Sequence, residues 1–319
     1  MGMPTLAELR AAAERIAPHA VRTPVLRGRG GLDELAGAAL FFKCENFQRG
    51  GAFKFRGALN VVLSLTAEAL AAGVATHSSG NHAAALALAA RIRGVPAHVV
   101  MPENAVATKQ QAVLAYGARV HECAPTLAAR EETLAEVVRE TGARFVPPYD
   151  DWGIIAGAGT AALELLEEIP GLDLVLAPVG GGGLVAGSAI ATRALNPAAR
   201  MIAVEPAGAD DARRSWLAQR RVPQLNPVTI ADGLHTSLGE RNFQVMQACV
   251  DDVVTVSEEA IVRAMRLLWQ RLKVLVEPSA AVPFAALLEG CVDAAGKRVG
   301  VILSGGNVDL DALPWRQVV

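Results

Sequence analysis

The chain has 319 residues, of which 52% are apolar, 19% charged and 4% aromatic, a balance that argues against disorder, collagen-like sequence and an aromatic-rich face for carbohydrate or single strands. Lys and Arg number 30 against 32 Asp and Glu, a net charge of −2 without blocks of like charge, which argues against nucleic acid and anionic membranes as partners. The length suits one large domain or two of ordinary size, with a core that needs no disulfide staples.

The opening segment, MGMPTLAELR, carries Glu8 and Arg10 where an export signal needs an apolar stretch, and no such signal is read. From residue 73 short apolar, β-branched runs alternate with helical patterns. Strands are expected at 73–77, 95–101, 118–122, 143–146, 173–179 and 200–204, each followed by a helix, at 81–93, 107–116, 126–141, 154–168, 184–195 and 209–219. A further strand, VGVIL, falls at 299–303. Runs such as AHVVM (97–101) and LVLAPV (174–179) are apolar throughout, as strands covered on both faces must be. The expected class is α/β with parallel sheets. The uncharged stretch 174–192 is long enough to span a membrane, but Pro178 and five glycines would leave backbone groups unsatisfied in lipid, so it reads as strand, loop and helix. The turn-rich PPYDDWG (147–153) separates the units of 73–148 from the later series, so two sheets with a cleft between them are expected, and α/β proteins bind ligands at strand C-termini. Cys44, Cys123, Cys249 and Cys291 show no CxxC spacing and are expected to be buried thiols of a cytoplasmic protein.

Four segments carry chemistry. In PVGGGGLVAG (178–187) a strand opens into a helix through four glycines, whose N–H groups and helix dipole suit a phosphate; a tight turn is the plain alternative. Gly181, Gly183 and Ala186 also spell GxGxxA, with Glu205 following where a Rossmann fold places its ribose-binding carboxylate, so a nicotinamide-dependent oxidoreductase stays open. No Lys-Ser/Thr follows the glycines, which excludes a Walker loop. In GGAFKFRGALN (50–60) Lys54 stands between Phe53 and Phe55; an apolar setting lowers an amine's pKa and frees it for Schiff-base chemistry, whereas a surface lysine would merely lay its stem along the rings. In HSSGNHAAALALAA (77–90) Ser78, Ser79 and Asn81 offer polar groups at a helix N-terminus, suited to a carboxylate or to capping. In LSGGNVDL (303–310) Ser304 ends a strand where a hydroxyl would face the cleft of an α/β fold.

Together and in this order the four segments resemble the fold-type II pyridoxal 5′-phosphate enzymes, in particular the group of serine racemase and the serine/threonine dehydratases. The likeness runs from FFKCENFQ (41–48) to LSGGNVDL. It implies two domains, each a mostly parallel twisted sheet flanked by helices: a large cofactor-binding domain from 1–72 and 149–319, and a small one, 73–148, closing over the cleft. It implies that Lys54, beside Phe53, forms the Schiff base, that Gly180, Gly181, Gly182, Gly183 and Leu184 cradle the phosphate, and that Asn81 bonds the ring's 3′-oxygen. Ser304 would face the pyridine nitrogen; a neutral hydroxyl does not hold that nitrogen protonated, so the ring is expected to be a weaker electron sink and β-elimination to compete well with transamination.

Further implications concern substrate and metal. Ser78, Ser79, Asn81, His82 and Arg130 would contact an amino-acid substrate, with Ser79 as the acid/base opposite Lys54 in a racemase. VEPAGADD (204–211) matches a divalent-cation segment, so Glu205, the Ala209 carbonyl and Asp211 would hold Mg²⁺ or a similar ion. A homodimer is expected. The expected activity is that of a dehydratase converting L-serine, L-threonine or a related β-hydroxy amino acid to a 2-oxo acid and ammonia, with serine racemase as the alternative. The sequence departs from the family at Arg49, Gly50, Gly51 and Ala52, where Thr-Gly-Ser is usual, at Tyr149 in place of an amide, and at Ala84 and Ala85. A less polar wall would admit a larger substrate such as phenylserine or hydroxyaspartate. The chain ends soon after LSGGN, and a C-terminal regulatory domain is not expected.

Overall fold

A computed structural model describes residues 2–105 and 107–315. Among these residues ten strands form two sheets. In chain order they are β1 Val25–Arg27, β2 Ala39–Cys44, β3 Val74–His77, β4 Ala97–Pro102, β5 Arg119–Cys123, β6 Arg144–Phe145, β7 Leu174–Pro178, β8 Arg200–Pro206, β9 Asp252–Val256 and β10 Arg298–Leu303. The larger sheet has the order β1-β2-β10-β7-β8-β9 and is parallel except for β1. The smaller, β5-β4-β3-β6, is parallel throughout. The architecture is the α/β class expected, with helices flanking parallel sheets.

The unbroken apolar runs have a direct cause. Along β7, Leu174 and Leu176 enter one core cluster, with Phe42, Val204 and Phe284, while Val175 and Ala177 enter another, with Leu165, Val185 and Met201. Both faces of the strand are therefore covered, and no position is left for a polar side chain. β6 is shorter than the strand expected at 143–146, because only Arg144 and Phe145 pair with β3.

The helix Trp152–Glu168 organises the centre, buried from Ile154 to Leu166 except at Glu164. Gly157 lies against the backbone of the helix Lys54–Ser64: a Cβ there would fall 2.6 Å from the Arg56 carbonyl oxygen. Gly187 does the same for the helix Gly183–Leu195, where a Cβ would overlap the Ile155 carbonyl oxygen. One helix thus fixes two others, and these begin at Lys54 and at the glycine loop. The helix Lys54–Ser64 also lends Phe55, Leu59 and Val62 to the core that covers β3 and β4.

Beside that contact lies a cluster of buried charges. The fully buried Arg56 guanidinium donates to both oxygens of Glu45, at 2.7 and 2.8 Å, and to both of Glu164, again at 2.7 and 2.8 Å. Lys43 adds a third contact, 2.6 Å from Glu164. Two cations and two carboxylates balance, so each buried charge has its partner.

All four cysteines are free, but only Cys44 and Cys249 are buried. Cys123 is half-buried and Cys291 exposed, which corrects the expectation of four buried thiols: Cys291 follows the end of the helix Pro278–Leu288, in a surface turn before β10. No helix among the described residues is long and apolar enough to cross a membrane.

Candidate active site

Three strand ends converge on one cavity of about 330 Å³, lined by Lys54, Ser79, Asn81, Glu277, Ser304 and the glycine loop. β10 delivers Ser304, β7 the glycines and β3 the segment from Ser78 to His82. The Lys54 segment is stitched to the end of β10, since Phe53 N–H donates to the Ser304 carbonyl at 3.0 Å and Ala52 forms a bridge with Gly305.

Lys54 Nζ donates to the Pro148 carbonyl at 2.8 Å and stands 5.3 Å from the Phe53 ring centroid and 5.8 Å from that of Tyr149. Burial lowers its pKa to about 8, against the opposing charge of Glu277. Roughly a tenth of the amine is therefore neutral at pH 7, far more than for a solvated lysine, and Lys54 is a half-buried residue of the cavity wall and not a surface one.

The glycine loop is built to meet an anion. Gly182 has φ +95 and gives the helix Gly183–Leu195 no side-chain cap. The Gly181 carbonyl is drawn outward, accepting from the Asn242 amide at 2.6 Å and from Gly239 N–H at 3.0 Å. Among the described residues no protein group accepts from the backbone N–H of Gly180, Gly181, Gly182, Gly183 or Leu184. Five donors at a helix N-terminus are left for a ligand. The Tyr149 ring lies against the loop so closely that a Cβ at Gly181 would overlap it.

Around the rest of the cavity, Ser304 is buried, with a hydroxyl that makes no hydrogen bond to a described protein group. Ser79 likewise lines the cavity with a free hydroxyl, while Ser78 Oγ accepts from Gly80 N–H at 3.3 Å. His82 is buried, with Nε2 3.2 Å from the Val146 carbonyl, and burial pushes its pKa down to about 3, so its ring is neutral. Arg130 reaches the cavity from the helix Leu127–Thr141; its Nε donates to the Thr126 carbonyl at 3.3 Å, and no carboxylate pairs with it among the described residues. Lys109 and Asp232 form an ion pair at the cavity wall.

Lys54, the glycine loop, the 78–82 segment, Arg130 and Ser304 are thus brought together. Glu205, Ala209 and Asp211 do not belong to this cavity. The Rossmann reading fails at Glu205, whose fully buried carboxylate accepts from Arg213 N–H at 2.6 Å and Ala212 N–H at 3.2 Å, at the start of the helix Asp211–Ala218, with no face for a ribose. Sequence reasoning missed Glu277, a buried carboxylate on the cavity wall between Val276 and Pro278. Its only signal was a charged residue inside an apolar run, which at a helix start reads as an ordinary boundary.

A family described as pyridoxal-phosphate dependent enzymes matches residues 16–305. The chain belongs to that family. It is 50% identical over 315 residues to a beta-hydroxyaspartate dehydratase of Paracoccus denitrificans (strain Pd 1222), covering 99% of this chain and all of that one. It is 49% identical to a serine racemase of Arabidopsis thaliana, covering 96% of this chain and 93% of the relative. A solved serine racemase of Dictyostelium discoideum matches with TM-score 0.91 and 44% identity, over 96% of this chain and 99% of that one. A solved threonine deaminase matches with TM-score 0.92 and 45% identity, over 97% of this chain and 100% of that one.

The cavity of this pyridoxal-phosphate enzyme fits its cofactor on its own terms. Five unsatisfied N–H groups suit the phosphate, a partly neutral buried amine suits the aldehyde, and the free Ser304 hydroxyl can meet a ring nitrogen.

Proposed function

We propose that the protein is a dehydratase, or ammonia-lyase, of β-hydroxy amino acids, with preference for a substrate carrying a second carboxylate, as hydroxyaspartate does. The observation that carries this reading is Arg130, a guanidinium on the cavity wall with no carboxylate partner among the described residues, whereas Lys109 at that wall is paired with Asp232. The similarity to a beta-hydroxyaspartate dehydratase supports it.

In this reading Lys54 is the attachment point, the loop from Gly180 to Leu184 holds the phosphate, Asn81 meets the 3′-oxygen and Ser304 the pyridine nitrogen. Pyridoxal phosphate, when bound, supplies a carbonyl that takes up the substrate amine and a ring that withdraws electrons from Cα. The free N–H groups at the start of the helix Asn81–Arg93, with Ser78 and Ser79, hold the substrate's α-carboxylate, and neutral His82 adds no competing charge. Displaced Lys54, whose lowered pKa of about 8 makes the uncharged amine accessible near neutral pH, takes the Cα proton. The β-hydroxyl leaves with a proton as water, and the released enamine hydrolyses to a 2-oxo acid and ammonia. Residues 73–148, which carry all four strands of the smaller sheet, form a domain that closes over the site and excludes water.

Glu205 and Asp211 are buried carboxylates, both with raised pKa values caused first by burial and then by nearby acids, Asp211 to about 6. With the Ala209 carbonyl they would offer Mg²⁺ oxygen-only donors and be relieved by it, although among the described residues no three His, Cys, Asp or Glu side chains gather as a metal group and backbone N–H groups already occupy both Glu205 oxygens. The setting is cytoplasmic, in keeping with four free cysteines, and the assembly a homodimer, as in the family that the sequence resembles.

A panel of hydroxyaspartate, serine, threonine and phenylserine tests the substrate assignment. Arg130→Ala is expected to raise KM for hydroxyaspartate by roughly 10- to 100-fold, the worth of a charge-assisted hydrogen bond, while leaving L-serine within about twofold. Equal losses across the panel would refute it.

Racemisation is a second reading, favoured by the free Ser79 hydroxyl in the cavity and by the serine racemase likeness. Ser79→Ala should slow interconversion of L- and D-serine by about 10²-fold, the usual scale for a positioned acid, with elimination from L-serine little changed. If both reactions fall together, Ser79 has no such role.

A further inference from the structure

Glu277 stands at the N-cap of the helix Pro278–Leu288, yet its side chain does not cap that helix. It turns instead to Asn81, whose Nδ2 donates at 2.8 and 3.1 Å to the two carboxylate oxygens. Gly305 makes this possible, because a Cβ there would fall 2.6 Å from Glu277 Oε1. On the other side of Asn81, Oδ1 accepts from Asn307 Nδ2 at 2.9 Å, and the same Asn307 nitrogen donates to the Gly50 carbonyl at 2.8 Å. Neighbours on both sides thus decide which end of the Asn81 amide is donor and which acceptor. An amide nitrogen carries two protons, so one serves Glu277 and one remains for a ligand in the cavity that Asn81 lines.

We propose that Glu277 is a positioning residue that holds the Asn81 amide with its donor end toward the cavity, so that the 3′-oxygen of pyridoxal phosphate meets an N–H. This rests on the reading that Lys54 carries the cofactor with Asn81 at that oxygen. Without Glu277 only Asn307 still orients the amide, and the rotated state, which presents Oδ1 and would repel the ring oxygen, becomes more populated.

The arrangement has a pH dependence. Burial raises the Glu277 pKa to about 7, the Asn81 hydrogen bond lowers it, and the charged groups facing it are Asp232, Lys109 and Lys54. Above that pH the carboxylate accepts from Asn81; below it the carboxyl is protonated and its hold on the amide weakens.

The test uses holoenzyme reconstituted with pyridoxal phosphate, following the visible absorption band against pH and the cofactor's dissociation constant. Glu277→Gln, equal in size but without the titration, should lose the band's transition near pH 7 while the apoprotein keeps its melting temperature. Glu277→Ala should weaken cofactor binding by roughly tenfold when Asn81 is present, and by less than about twofold in an Asn81→Ala background. A pH transition that persists in Glu277→Gln, or a Glu277→Ala effect as large without Asn81 as with it, overturns the proposal. A visible band that survives Lys54→Ala overturns the underlying cofactor reading, and the Glu277 assignment with it.

Discussion

Replacing Lys54 by Ala is expected to lower turnover of every substrate by at least about 10³-fold, because positioned proton transfer alone is worth ~10²–10⁴ and the covalent attachment is lost with it. The fold should survive. Among the described residues the one side-chain hydrogen bond removed is that to the Pro148 carbonyl, a loss of about 1 kcal/mol, and alanine is well accepted at the first position of a helix. Added ethylamine, which can occupy the vacated space and take a proton, should restore part of the rate. Turnover within tenfold of the parent would mean that another group removes the Cα proton.

The largest effect on stability is expected at Arg56, two residues further along the same helix. Arg56→Met keeps the bulk but leaves the buried carboxylate of Glu45 and the largely buried one of Glu164 with Lys43 as their only nearby cation among the described residues. Breaking a buried ion pair from one side costs about 3–5 kcal/mol, and Arg56→Lys should recover little of it, since an ammonium cannot serve two carboxylates with a fork of donors. Chemical denaturation measures the difference; a loss below about 1 kcal/mol would contradict this account. The pH dependence has a definite sign. Burial alone would raise the Glu164 pKa, but the hydrogen bonds and charges of Arg56 and Lys43 override it and hold the carboxyl below its usual value. A carboxylate depressed in the folded state contributes stability that is present above its unfolded pKa and fades as pH falls through the folded one. The gap between parent and Arg56→Met should therefore narrow in acid.

These two predictions join chemistry to fold through one helix start. Gly157 admits the helix Lys54–Ser64 against the helix Trp152–Glu168, Arg56 clamps it to Glu164 of that same helix, and Lys54 is left at the helix's first position on the cavity wall. A loss at Arg56 would loosen the Lys54 amine from the Ser304 segment to which Phe53 ties it.

The strand and helix series from residue 73 to 218 was legible in the sequence because parallel strands covered on both faces must be apolar at every position, as β7 shows. The glycine loop was legible for a related reason: four glycines in a row have few explanations other than backbone approach to a ligand. Lys54 was not, taken alone. Its environment comes from Pro148, Tyr149 and Glu277, all distant in the chain, and only the joint likeness of four segments separated it from a surface lysine. Glu277 was illegible because its meaning lies in a contact with Asn81 that spans 196 residues and depends on the room left by Gly305. Glu205 was ambiguous: spacing fitted a ribose, and only the two N–H groups it caps removed that choice. Cys291 was misjudged because burial of a thiol depends on which turn it follows, which composition does not record.

Borohydride reduction of the holoenzyme followed by mass mapping of the labelled peptide tests the central assignment most directly. The account predicts that the reduced cofactor is found on Lys54, in the peptide that carries Phe53 and Phe55, and that substrate added beforehand protects that lysine. Label on another lysine, or no label on a protein that binds pyridoxal phosphate and turns over hydroxyaspartate, would contradict it.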